Sequence, residues 1–100
     1  MKEAWVVRRE RGGPWDWSKP LREQQGWDEH ADFMERLVDD GFVVLGGPIE
    51  DVDQGREVVH IVDAPSEEAV RERLAQDNWE QNGMLTTTSV ERWIVLLEHR

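Results

Sequence analysis

GWDEHADFMERLVDDGFVVLGGP, residues 26–48, reads as a helix, a glycine stop, a buried strand and a tight turn. At about 100° per residue, Trp27, Ala31, Met34, Leu37, Val38 and Gly41 share one face, and most of the acidic residues share the other. One polar residue interrupts the apolar stripe. His30 lies three residues before Phe33 and four before Met34, so a titratable ring stands on the core side near the start of the helix. Gly41 is placed to end that helix in a left-handed cap. Phe42–Leu45 is then a buried strand that Gly46-Gly47-Pro48 kinks or terminates.

Working outward, residues 3–9 alternate as a first strand, with Trp5 and Val7 on one side and Ala4 and Val6 on the other. Arg8 and Arg9 end its apolar part and read as solvated. Residues 10–26 form a long loop holding Trp15 and Trp17, with turn chemistry at Gly12-Gly13-Pro14. Residues 49–56 make an acidic turn, and Glu57–Asp63 is a third strand, paired with the second as a hairpin. Pro65 suits the first turn of a second helix, and Glu67 and Glu68 suit its positive end. Asp77 to Gly83 is a short irregular or helical connection. Thr86–Glu98 is a final strand rich in β-branched residues. The order β-α-β-β-α-β gives an α+β, ferredoxin-like fold: one four-stranded antiparallel sheet with two helices on one face, in a single domain over residues 1–100.

Composition narrows the function. Net charge is −10, from 22 acidic and 12 basic residues, which disfavours nucleic acid and anionic membranes as partners. There is no cysteine, so disulfides and thiolate chemistry are excluded and a reducing cytoplasm is the expected location. The longest apolar run, Trp93–Leu97, is far too short to span a membrane. No phosphate loop, nucleophile elbow or dinucleotide fingerprint occurs, and neither a cofactor nor a metal is expected.

The strands are apolar on both sides: Val43 and Leu45 against Phe42 and Val44, Val59 and Ile61 against Val58 and Val62, Trp93 and Val95 against Ile94 and Leu96. Two helices cover one side only. Leaving roughly seven to nine large apolar groups wet, at about 1.5–3 kcal/mol each, forfeits on the order of 10 kcal/mol. A homodimer with sheets face to face, a dimeric α/β barrel, is the expected answer, with a ligand cavity between the sheets or at their edges.

Trp27-x-x-His30-x-x-Phe33-Met34-x-x-Leu37, the run Gly41–Pro48, Ala64-x-Ser66-x-Glu68-Ala69 and the following Asp77 together resemble the YCII-related domain family. The resemblance implies a ferredoxin-like dimeric barrel similar to muconolactone isomerases. It also implies a histidine and an aspartate, matched by His30 and Asp77, with an enzymatic role. One branch of that family resembles a dehydrochlorinase acting on chlorinated hydroxyquinols. The family's usual Asp-Pro-aromatic after the second helix reads Asp77-Asn78-Trp79 here.

A partly desolvated imidazole near a helix N-terminus favours its neutral form, which accepts a proton at neutral pH. His30 is therefore either a base or a buried histidine satisfied by its neighbours. Asp77 either orients it, as a carboxylate does in a triad, or bonds loop amides. Strands one and three are expected to run parallel, and the helices with them. That would set the start of helix one and the end of helix two at opposite ends, so a dyad would need residues 77–83 to fold back or a meeting across a dimer. Trp15, Trp17 and Trp27, with Gly47, are the expected substrate-binding set for a planar ligand. Arg8, Arg9 and Arg22 could hold a carboxylate but read individually as surface. His60 either lines the inter-sheet cavity or is a satisfied core histidine. The functional reading is a cofactor-independent lyase or isomerase acting on a small cyclic or aromatic molecule. The alternatives are a non-catalytic small-molecule-binding or accessory module and a purely structural dimer.

Overall fold

The computed structural model describes residues 2–99, and its first helix, α1 (Trp27–Asp39), stops where the glycine asks it to. Gly41 has φ of 77°, and the Gly41 and Phe42 amides close back on the carbonyls of Val38 and Leu37, at 2.9 Å each. The strands are β1 (Lys2–Arg11), β2 (Val43–Pro48), β3 (Glu57–Val62) and β4 (Leu85–Val95). Between β3 and β4 lie α2 (Glu67–Leu74) and the four-residue α3 (Asn78–Gln81). Ser66 caps α2 by accepting the Ala69 amide. The sheet order is β2-β3-β1-β4, antiparallel throughout, as the ferredoxin-like reading requires.

That topology corrects the expected strand directions. β1 and β3 are neighbours and run antiparallel, from Trp5 opposite Val62 to Glu10 opposite Glu57. Each helix returns against the strand before it, so α1 and α2 also oppose one another. The start of α1 and the end of α2 therefore meet at one end of the protomer.

Two further expectations give way. The second strand does not stop at Leu45: it takes in Gly46-Gly47-Pro48 and ends with that run at Pro48, on a sheet edge where proline is tolerated. An extra residue at Val44 shifts the register, so Val43 packs under the helices while Leu45, 64% exposed, faces the open side. A matching irregularity in β4 leaves Thr88 unpaired between Thr87 opposite Arg9 and Ser89 opposite Arg8. β4 also ends at Val95, short of the expected Glu98, and Leu96 and Leu97 are exposed.

The buried side of α1 centres on His30, Phe33 and Leu37; Val38, expected in the stripe, is 53% exposed. Phe33 and Leu37 join Val7, Val62, Val70 and Val90 in the main core between helices and sheet. A second cluster gathers Trp15, Trp79, Met84 and Leu85 around Val58, with Trp17 and Trp27 at its margin. The side of the sheet away from the helices carries Val59, Ile61, Trp93 and Val95 around a groove of about 540 Å³, with Trp93 47% exposed. No helix among the described residues is long and apolar enough to cross a membrane.

Candidate functional site

Asp77 ends the run from α2 and caps α3: its Oδ1 accepts the Trp79 amide at 3.0 Å. The proline absent from position 78 costs the cap nothing, because the first amide of a helix has no intrahelical partner in any case. Asn78 makes use of its side chain instead, donating to the Gly26 carbonyl at 3.0 Å, while Trp79 Nε1 donates to the Gln25 carbonyl at 2.8 Å. These two bonds tie α3 to the turn that opens α1. Gly26 is required there: its φ is 80°, and a Cβ would come within 2.7 Å of the Asn78 amide nitrogen.

One turn into α1, His30 then stands over Asp77. Its Nδ1 lies 2.8 Å from Asp77 Oδ1, and its ring stacks on the Trp79 indole, centroids 4.0 Å apart and planes 10° from parallel. An ionised carboxylate only accepts, so the proton between them sits on Nδ1 and the lone pair of the neutral ring is on Nε2. Nε2 has no hydrogen-bond partner among the described residues.

Behind Asp77 lies a residue that sequence reasoning put on the surface. Arg9 is fully buried. Its Nη2 donates to Asp77 Oδ2 and to Glu80 Oε2, at 2.8 Å each, and its Nε donates to Glu80 Oε2 at 3.2 Å. Glu80 is held in turn by the amide and hydroxyl of Thr87. The signal for Arg9 was present: it continues the alternation Trp5, Val7 onto the helix side of β1. Burial works against the charge of Asp77, but the hydrogen bond from His30, the Arg9 guanidinium and the Trp79 amide outweigh it and hold the carboxyl below the usual range. With His30 neutral the cluster has one positive against two negative charges, and a proton arriving on His30 brings it to zero.

His30 lines a cavity of about 430 Å³ between α1 and the edge strand β2, with His60, Trp27, Gly46, Gly47 and Met34 among its walls. Trp27 and Gly47 thus reach the space that His30 faces. Trp15 and Trp17 do not; Trp15 is core, its ring edge-on to Trp79 at 5.3 Å between centroids, and Trp17 leans on it. Arg8 is paired with Glu57 at 2.9 Å on the surface.

His60 corrects another expectation. It lies on the helix side with Val58 and Val62, not between sheets, and neither ring nitrogen has a partner among the described residues. Burial first, then the nearby Arg9 and His30, push its pKa down to about 3, against a smaller opposing effect of Asp77. Gly46 leaves the room it occupies, since a Cβ there would stand 2.5 Å from His60 Nδ1. Among the described residues no three His, Cys, Asp or Glu side chains converge as metal ligands would.

The model of the YCII-related domain matches residues 18–94, which span α1, the Gly-Gly-Pro strand, Asp77 and most of β4. The chain belongs to the YCII-related domain family. No curated protein sequence matches it. Among solved structures, this YCII-related chain is similar to the 5-chloro-2-hydroxyhydroquinone dehydrochlorinase TftG of Burkholderia phenoliruptrix AC1100, in complex with 2,5-dihydroxybenzoquinone. The TM-score is 0.66 at 22% identity, over 93% of this chain and 94% of that one, a likeness of fold.

Proposed function

We propose that this protein is a small-molecule lyase or isomerase in which His30 Nε2 takes a proton from a cyclic or aromatic substrate. The observation that carries the reading is the buried hydrogen bond between His30 Nδ1 and Asp77 on the wall of a cavity. Asp77 fixes the tautomer and stabilises the imidazolium; Arg9 and Glu80 fix Asp77. In an elimination the O–H bond, or the C–H bond beside a carbonyl, that His30 breaks leaves its electron pair in the substrate, where it feeds the new double bond as the leaving group departs with its own pair, and the proton on Nε2 passes to solvent. Trp27 and Gly47 serve as binding surface, Trp27 offering the aromatic wall. Membership of the YCII-related family and the fold shared with a dehydrochlorinase support this class. A binding module without catalysis would need the cavity but not the carboxylate behind the histidine.

The apolar open face of the sheet is covered, on this reading, by a second copy of the chain. A self-complementary face of this kind is what a two-fold dimer uses.

Two measurements test the catalytic proposal. 2,5-Dihydroxybenzoquinone should shift the ring ¹⁵N resonances of His30, and a ring unmoved at saturating ligand overturns the cavity as the binding site. With 5-chloro-2-hydroxyhydroquinone, chloride release should fall about 10²–10⁴-fold in His30→Gln, the usual contribution of a general base. Equal release by variant and wild type overturns the base role.

A further inference from the structure

A second buried arginine lines the same cavity. Arg11 is 2% exposed and lines the cavity wall two residues beyond Arg9 on the same face of β1. Unlike Arg9, it has no carboxylate at ion-pair distance among the described residues. Its Nη1 donates to the Gly55 carbonyl at 2.9 Å, its Nε is buried without a partner, and its plane lies over the Trp15 ring, 4.3 Å from the centroid. Burial lowers its pKa, with Asp53 and Asp51 opposing from beyond ion-pair distance, and one oxygen of each of those carboxylates is engaged by backbone amides, Asp53 Oδ1 by Leu21 and Asp51 Oδ1 by Asp53 and Gln54. Buried charges are ordinarily paired, and a guanidinium offers five donors to a planar anion. No carboxylate lines the cavity, although the protein carries a net charge of −10.

The sheet register orders the cavity floor. Val58 lies opposite Pro48 and Arg9, and His60 lies opposite Gly46 and Val7, with Val43 further along opposite Val62. From Arg11 the floor therefore passes Val58, then His60 beside His30, then an apolar end at Val43, Met34 and Val38.

We infer that Arg11 is a substrate-binding residue that receives an anionic oxygen, so that the substrate is a ring bearing a carboxylate or an ionised hydroxyl at one end. The inference rests on the cavity reading above and adds its charge selectivity.

2,5-Dihydroxybenzoate and hydroquinone differ only by a carboxylate, and their affinities can be read from quenching of indole fluorescence or by calorimetry. Wild type should bind the acid at least about tenfold more tightly, the share of one good charge-assisted pair. Arg11→Gln should erase that preference and Arg11→Lys should keep most of it. In wild type, the Arg11 side-chain ¹⁵N resonances should move with the acid and not with hydroquinone, a readout that needs no variant to fold. Equal affinity of wild type for both ligands, a preference surviving in Arg11→Gln, or Arg11 resonances blind to the acid overturns this inference alone. Failure of wild type to bind either ligand overturns the cavity reading with it.

Discussion

Acid should loosen this protein through His60. The ring is buried, its nitrogens are unpartnered, and its pKa is pushed down to about 3 from 6.5. A group whose folded pKa is depressed binds protons more readily in the unfolded chain. Its contribution to stability is therefore complete above about pH 6.5 and is lost as pH falls toward 3. Between about pH 7.5 and 4.5 roughly two pKa units are crossed, a loss of about 2–3 kcal/mol at 1.4 kcal/mol per unit. His60→Leu keeps much of the volume and removes the titration. It also removes two buried nitrogens whose missing hydrogen bonds cost about 1–3 kcal/mol each, so the variant should be no less stable than wild type at neutral pH. The assay is urea unfolding of both proteins at the two pH values and one protein concentration. His30 and His99 are present in both and cancel. Equal losses of stability in the two proteins, or an NMR titration of His60 near 6.5, would refute the reasoning.

Asp77→Asn leaves the Arg9 charge buried with Glu80 alone and should destabilise by about 3–5 kcal/mol, read from urea midpoints; a change under 1 kcal/mol would mean that the pairing seen at 2.8 Å contributes little. Gly46→Ala drives a methyl against His60 Nδ1 and the Val59 carbonyl and should cost about 1–3 kcal/mol. Gly47→Ala, with nothing within 4 Å of its added carbon, should stay within about 0.5 kcal/mol of wild type, and thermal melts of the pair will show whether the two glycines differ. Trp93→Glu puts a charge on the open sheet face and should convert a sedimenting dimer to monomer; a wild-type protein that sediments as a folded monomer at micromolar concentration removes the proposed sheet pairing.

The elements and the helix stop were legible because they rest on local periodicity and on one glycine's conformation. His30 stood out because it breaks its own stripe. What pairs with it was not legible, since its distance from Asp77 depends on the direction of β3, and parallel strands were expected where neighbours run antiparallel. Arg9 was read by residue type, as surface, and Arg11 fell inside the expected loop of residues 10–26, when their parity with Trp5 and Val7 set both inward on a strand that runs to Arg11; the counter-charges of Arg9 lie about 70 positions away. Leu45 failed for the opposite reason. Strict alternation misplaces every residue beyond a bulge, and nothing in Val43-Val44-Leu45 marks one.

The unpaired Thr88 has a reach beyond β4. Counting by twos from Val90, which packs in the core, an unbroken strand would turn Thr88 inward and Thr87 out. The surplus residue restores Thr87 to the helix side, where its amide and hydroxyl hold Glu80. Excising that one threonine would leave the strand intact and return it to even pleating. Thr87 would still oppose Arg9, now two places from Val90, and Glu80 would keep both of its tethers; it is a regular strand with Thr88 retained that would turn Thr87 outward and release the contacts running through Arg9 to Asp77 and His30.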